Sequence, residues 1–238
     1  MRPLEPFRRL HATIGKFGIL FLAIVALFVA TPQLIAGRGH VAILGVLTGA
    51  VLVAGLYAAS PGLSSILLGL ALAVGDFAVG RFAFAVDLRW LVLLQSLFWF
   101  GTLVYVVATI LGVVFRSRSV TEETLGAALC VYLLIGMIAA FAFSVVEIAL
   151  PGSFATPDGP AFTWADERSR AGEFLHLFVL SFGILSGSGF AAVTPATGFA
   201  RNLASLEAMI GQIYLAVVIA RLVGIQVAAK VEPTGGPE

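Results

Sequence analysis

Residues 184 to 195 read ILSGSGFAAVTP, a run of small residues between two strongly apolar stretches. Ser-Gly-Ser-Gly weakens a helix and bares main-chain carbonyls. A cluster of such oxygens can replace the hydration shell of a monovalent cation. Main-chain oxygens of this stretch therefore offer coordination to a cation. Ser186 or Ser188 would need a base within hydrogen-bond reach to act as a nucleophile, and no histidine follows them in the chain. No enzymatic activity, cofactor or small-molecule substrate is expected.

Few other polar groups interrupt apolar sequence. Asp76 and Arg81, five apart, do not share a helix face. Donors on a neighbouring helix are expected to hold Asp76, and Arg81 is expected to snorkel outward. Glu207 opens the last apolar run, where a carboxylate favours a helix N-terminus. His176 is expected to be packed or hydrogen-bonded, and Trp90 and Trp99 to be interface or packing aromatics. Cys130, the only cysteine, rules out an intrachain disulfide.

The elements that must carry these residues are membrane helices. The chain is 60% hydrophobic and 11% charged, whereas an ordinary soluble domain is about half apolar. A net charge of +1 provides no basic field for nucleic acid. About 20 apolar residues cross a bilayer core, and six runs reach that length: Phe17 to Ile35, Val41 to Ala59, Ile66 to Ala85, Trp90 to Phe115, Leu125 to Leu150 and Leu203 to Ala229. Each must be helical, because hydrocarbon leaves no partner for a bare backbone group. The first run lacks an A-x-A cleavage site and is read as an anchor that stays. Arg2, Arg8, Arg9 and Lys16 before it, with Arg116 and Arg118 after the fourth, place the N-terminus in the cytoplasm of a multi-pass inner (cell) membrane protein.

The segment EFLHLFVLSFGILSGSGFAAV, between the fifth and last runs, has two readings. It makes a seventh span, or it enters the membrane as a short helix and turns back. Re-entry puts the C-terminus inside and gives Arg221 and Lys230 the cytoplasmic side. Irregular backbone at membrane depth is tolerated where it is buried or lines a watery path, which suits a loop whose carbonyls meet an ion. The competing use of Gly183 and Gly187 is a GxxxG helix contact, a pattern that Gly45 and Gly49 repeat in the second run.

The flanks of that loop resemble the pore domain of bacterial potassium-channel-like proteins. Ser181 and Phe182 match the pore-helix SF of that family, Thr194 and Pro195 match the TP after its filter, and LEAMIGQIYLAVVIARLVG, Leu206 to Gly224, matches its inner helix almost residue for residue. The likeness covers roughly Arg116 to Gly224. It implies six transmembrane helices plus a re-entrant pore helix and filter loop between the fifth and sixth, in an all-α membrane protein. Residues 1–115 would form a four-helix voltage-sensor-like domain, 116–230 the pore domain and 231–238 a short cytoplasmic tail. Both flanks align without a gap, so the family's TVGYGD falls on Gly187, Ser188, Gly189, Phe190, Ala191 and Ala192, with alanine in place of the acid.

A single loop cannot encircle an ion; a closed ring needs a cyclic oligomer, and the resemblance implies a homotetramer in membrane lipid. It also implies that Gly211 is the bend of the inner helix and that Glu147 braces the loop from behind, where the other reading is a carboxylate facing headgroups. Gln212, Leu215, Ile219 and Val223, spaced 3, 4 and 4 apart, share a face suited to lining a cavity. The fourth run carries no Arg or Lys, so it has no gating charge to move. The resemblance implies a cation channel with an altered filter, in which Gly187, Ser188, Gly189, Phe190 and Ala191 form the path of a monovalent cation, K⁺ or Na⁺. The alternatives are a non-conducting sensor or scaffold of the same fold and a seven-helix transporter.

Overall fold

The apolar runs do form helices, and all but the second extend beyond the hydrophobic sequence at one end or both. The computed structural model describes residues 5–36, 41–60, 62–86, 89–116, 121–156, 159–160 and 167–231. Among these, seven helices follow one another: α1 Glu5–Ala36, α2 Val41–Ala59, α3 Leu63–Val86, α4 Arg89–Arg116, α5 Glu122–Ala149, α6 Glu167–Leu185 and α7 Gly198–Val231. Three stretches, Trp90–Arg116, Glu122–Ala149 and Gly198–Ile225, are long and apolar enough to cross a membrane. Gly15 breaks the regularity of α1 with φ 68° and ψ 167°. The side chain of Arg81 and the tail from 232 to 238 lie outside the described residues.

α5 is the axle of the molecule. Thr121 caps its start, accepting a hydrogen bond from the Thr124 amide at 3.2 Å, and Glu122 and Glu123 favour the positive end of the helix dipole. Cys130, Leu134, Met137 and Ala140 are buried in one apolar core that spans α1, α2, α4, α5 and α6. α1, α2 and α4 thus share a core with the helices that follow them. Lys16 pairs with Glu123 at 3.3 Å, and the Cys130 thiol donates to the Phe17 carbonyl at 3.2 Å, tying α1 to α5.

A ladder of rings reinforces that core. Trp99 of α4 stacks on Phe141 of α5 with centroids 5.5 Å apart, and Phe141 meets Phe174 of α6 at 4.6 Å. Phe174, Phe178 and Phe182 then follow at one helical turn each along α6, and Phe28 of α1 contacts the last two. Elsewhere, a Cβ on Gly45 would come within 3.1 Å of Phe77, and one on Gly49 within 3.1 Å of Ala73. The GxxxG of α2 is a close seat for α3. Asp76 of α3 is held as expected, accepting from Gln95 Nε2 of α4 at 2.9 Å.

The polar stretch after α5 holds structure that the sequence pattern hides. Strands β1 Phe154–Thr156, β2 Gly159–Pro160 and β3 Thr194–Pro195 form a small antiparallel sheet in the order β2-β1-β3. Phe154 faces Pro195 and Ala155 faces Thr194 across the β1–β3 pair. The described chain is therefore helical with this one small clip, rather than purely α.

Candidate functional site

α6 stops where its sequence turns to glycine and serine. Gly187 and Gly189 both take left-handed backbone, with φ 71° and 69°, a conformation that glycine enters without a Cβ clash. The reversal lets the chain fold back on its own helix: the Ser186 amide donates to the Phe182 carbonyl at 3.0 Å, Gly187 to Ile184 at 3.1 Å and Gly189 to Gly183 at 3.1 Å. Tyr132 Oη of α5 takes the remaining one, donating to the Leu185 carbonyl at 2.9 Å. All four last carbonyls of α6, which a helix end leaves without intrahelical partners, are thereby satisfied.

Gly183 is where the loop presses hardest on the helix. A Cβ there would come within 2.7 Å of the Phe190 carbonyl oxygen, so that oxygen is turned toward the α6 backbone. Gly187 does not join Gly183 in a helix contact; its missing side chain faces open space. Residues 186 to 190 are exposed, Phe190 at 80%, while Ala191 is half-buried and Ala192 exposed. The Ser186 hydroxyl donates to Ser188 Oγ at 3.0 Å.

The return from the loop is anchored twice. β3 pairs with β1, and the Ala196 and Thr197 amides donate to the Ser153 carbonyl at 2.8 and 3.4 Å. Thr197 then caps α7, its hydroxyl accepting from the Ala200 amide at 3.3 Å. Glu147, only 3% exposed, grips the other side of the clip: its two oxygens accept from the Gly152 amide at 2.8 Å and the Phe154 amide at 2.9 Å. Its carboxyl faces protein backbone rather than headgroups. It supports the β1 turn, and through β1 the return strand, with both of its hydrogen bonds going to Gly152 and Phe154 rather than to the loop.

α7 packs along one narrow seam. Ala200, Ala204, Glu207, Gly211 and Val218 are buried, with Tyr214 half-buried between them, at alternating spacings of four and three. Gly211 is the tightest point: a Cβ would come within 2.6 Å of Leu185 Cδ1 at the end of α6. Gln212, Ile219 and Val223 are exposed and Leu215 is half-buried, so the expected lining face lies beside the seam and is largely open in the single chain. His176 is half-buried on α6.

Glu207 departs from its expected place. α7 begins at Gly198, and Glu207 lies well inside the helix at 4% exposure, beyond the reach of the N-terminal dipole. Its Oε1 meets Ser181 Oγ of α6 at 2.5 Å, and Ser181 Oγ also meets the Gly136 carbonyl of α5 at 2.7 Å. Tyr132 and Tyr214, whose hydroxyl donates to the Ala128 carbonyl at 2.7 Å, are polar ties that no spacing announces, and Ser181, matched above only as part of the pore-helix SF, is a third. Their common signal is a hydroxyl within an otherwise apolar helix.

No family model, curated protein or solved structure matches this chain.

Proposed function

We propose that the chain is one subunit of a homotetrameric, multi-pass cation channel of the inner (cell) membrane, with α6 and the 186–193 loop forming a re-entrant pore element between the fifth and sixth spans. One observation carries this reading. A helix stops at Leu185, an exposed Gly/Ser loop doubles back on it, and the chain returns into a membrane-length helix packed along a single seam. That is the layout a ring of subunits needs in order to present one loop each to a shared axis. The open flank of α7 with Gln212, Leu215, Ile219 and Val223 then faces the cavity, and both termini lie in the cytoplasm.

The loop supports an altered filter rather than a potassium-type one. The Phe190 carbonyl faces Gly183 of its own helix, and Ala192 supplies no carboxylate. Potassium selectivity is accordingly relaxed, with Na⁺ and K⁺ both permeant. α4 has no Lys or Arg from Trp90 to Phe115, so opening is not driven by gating charge in that helix. The same turned carbonyl favours the second reading, a channel-fold scaffold that does not conduct.

Flux from purified protein in liposomes separates the two. K⁺ and Na⁺ are expected to pass at comparable rates and Cl⁻ not at all, while placing TVGYGD at 187 to 192 raises K⁺ over Na⁺. Strong K⁺ selectivity in the unaltered protein would contradict the altered filter. Absence of any cation flux would leave the scaffold reading.

A further inference from the structure

Behind the loop, three helices meet at a serine with too few protons. Ser181 Oγ carries one hydrogen, yet it lies within hydrogen-bond distance of two oxygens, the Gly136 carbonyl at 2.7 Å and Glu207 Oε1 at 2.5 Å. A hydroxyl donates once and accepts from others, and a backbone carbonyl has no proton to give. The second contact needs a proton from the carboxyl group. Glu207 Oε2 points the same way: it is buried and has no hydrogen-bond partner among the described residues, and no cation pairs with Glu207 among them. An ionised carboxylate would lie here with one oxygen bare, a placement that costs several kcal/mol unless it is paired.

We propose that Glu207 is a positioning residue held as a neutral carboxylic acid, which donates from Oε1 to Ser181 Oγ while Ser181 donates to the Gly136 carbonyl. This donor chain bolts α7 and α6 to α5 immediately behind the loop. The bolt works beside two close approaches: a Cβ on Gly136 would come within 3.1 Å of Phe182 and 3.2 Å of Leu185, and one on Gly211 within 2.6 Å of Leu185. The proton is thus a structural part of the frame that sets where α6 ends. Its consequence for conduction rests on the ion-path reading above; the protonation state itself does not.

The test uses the full-length protein in lipid bilayers at neutral pH. Infrared spectra of the unaltered protein minus those of Glu207→Gln should show the carbonyl band of a protonated acid; loss of a carboxylate band instead would overturn the proposal. Glu207→Gln keeps the volume and its amide can donate to Ser181, so hydrogen exchange at residues 186 to 193 should stay within about twofold of the unaltered protein. Glu207→Ala and Ser181→Ala should raise that exchange about fivefold, the equivalent of one net hydrogen bond. Equal exchange in all variants would also overturn it. Cation flux is expected to follow the exchange results. A neutral acid and protected loop without flux in any variant would remove the ion-path reading and leave the bolt; an ionised Glu207 with flux would do the reverse.

Discussion

At the scale of single residues, the site is governed by absent side chains as much as by present ones. Gly183 exists because the Phe190 carbonyl occupies the volume where a Cβ would stand, 2.7 Å away. Backbone cannot give way as a flexible side chain does, so Gly183→Ala should displace the loop and break the Gly189 to Gly183 hydrogen bond. Hydrogen exchange at the Gly189 amide is expected to rise about fivefold or more, against unchanged exchange in α5, as read by mass spectrometry. Sequence made part of this legible. A Gly/Ser run at the end of an apolar helix announces left-handed turns, and Gly187 and Gly189 take them. Which glycine is needed for space and which for φ was not legible, because that depends on where Phe190 returns. Glu207 lies deeper in its helix than the apolar run suggests for a related reason: polar Arg201 and Asn202 make that run begin at Leu203, whereas Thr197 already starts the helix.

At the scale of elements, the 186–193 loop is held from both ends, by α6 on one side and by the β1–β3 clip on the other. Glu147 is the clip's support, giving two oxygens to two amides, one of them the fully buried Phe154. Glu147→Ala should lower stability by about 2–4 kcal/mol, and Glu147→Gln by roughly half as much because one acceptor survives. Thermal unfolding in detergent measures the order of the two. The six apolar runs were readable because about 20 apolar residues have one solution in hydrocarbon. The sheet was not. Its strands are two or three residues long, too short for any alternation, and β3 finds its partner far back along the chain.

At the scale of the whole molecule, the burial of α7 is lopsided. One narrow face packs against the rest of the chain, while Leu206, Met209, Ile210, Ile213 and Val217 stay exposed along with the expected lining face. Lipid covers such a surface without penalty, so exposure by itself sets no partner; the exposed loop at its head is what makes neighbouring copies the proposed occupants. Native mass spectrometry from mild detergent is expected to give four copies per particle, and a uniform monomer would sink the pore reading together with its ring. A single sequence foreshadowed this asymmetry through the spacing of Gln212, Leu215, Ile219 and Val223, but the buried seam at Ala204, Glu207 and Gly211 was hidden by the high apolar content on every side. The aromatic ladder has a practical consequence of its own. Trp99 is buried and lies parallel on Phe141, at the opposite end of the series of rings from Phe182, the residue before Gly183. Trp90 is exposed, so Trp99 is the one described tryptophan shielded from both water and lipid, a native fluorophore separated from α6 by a single intervening ring, Phe141.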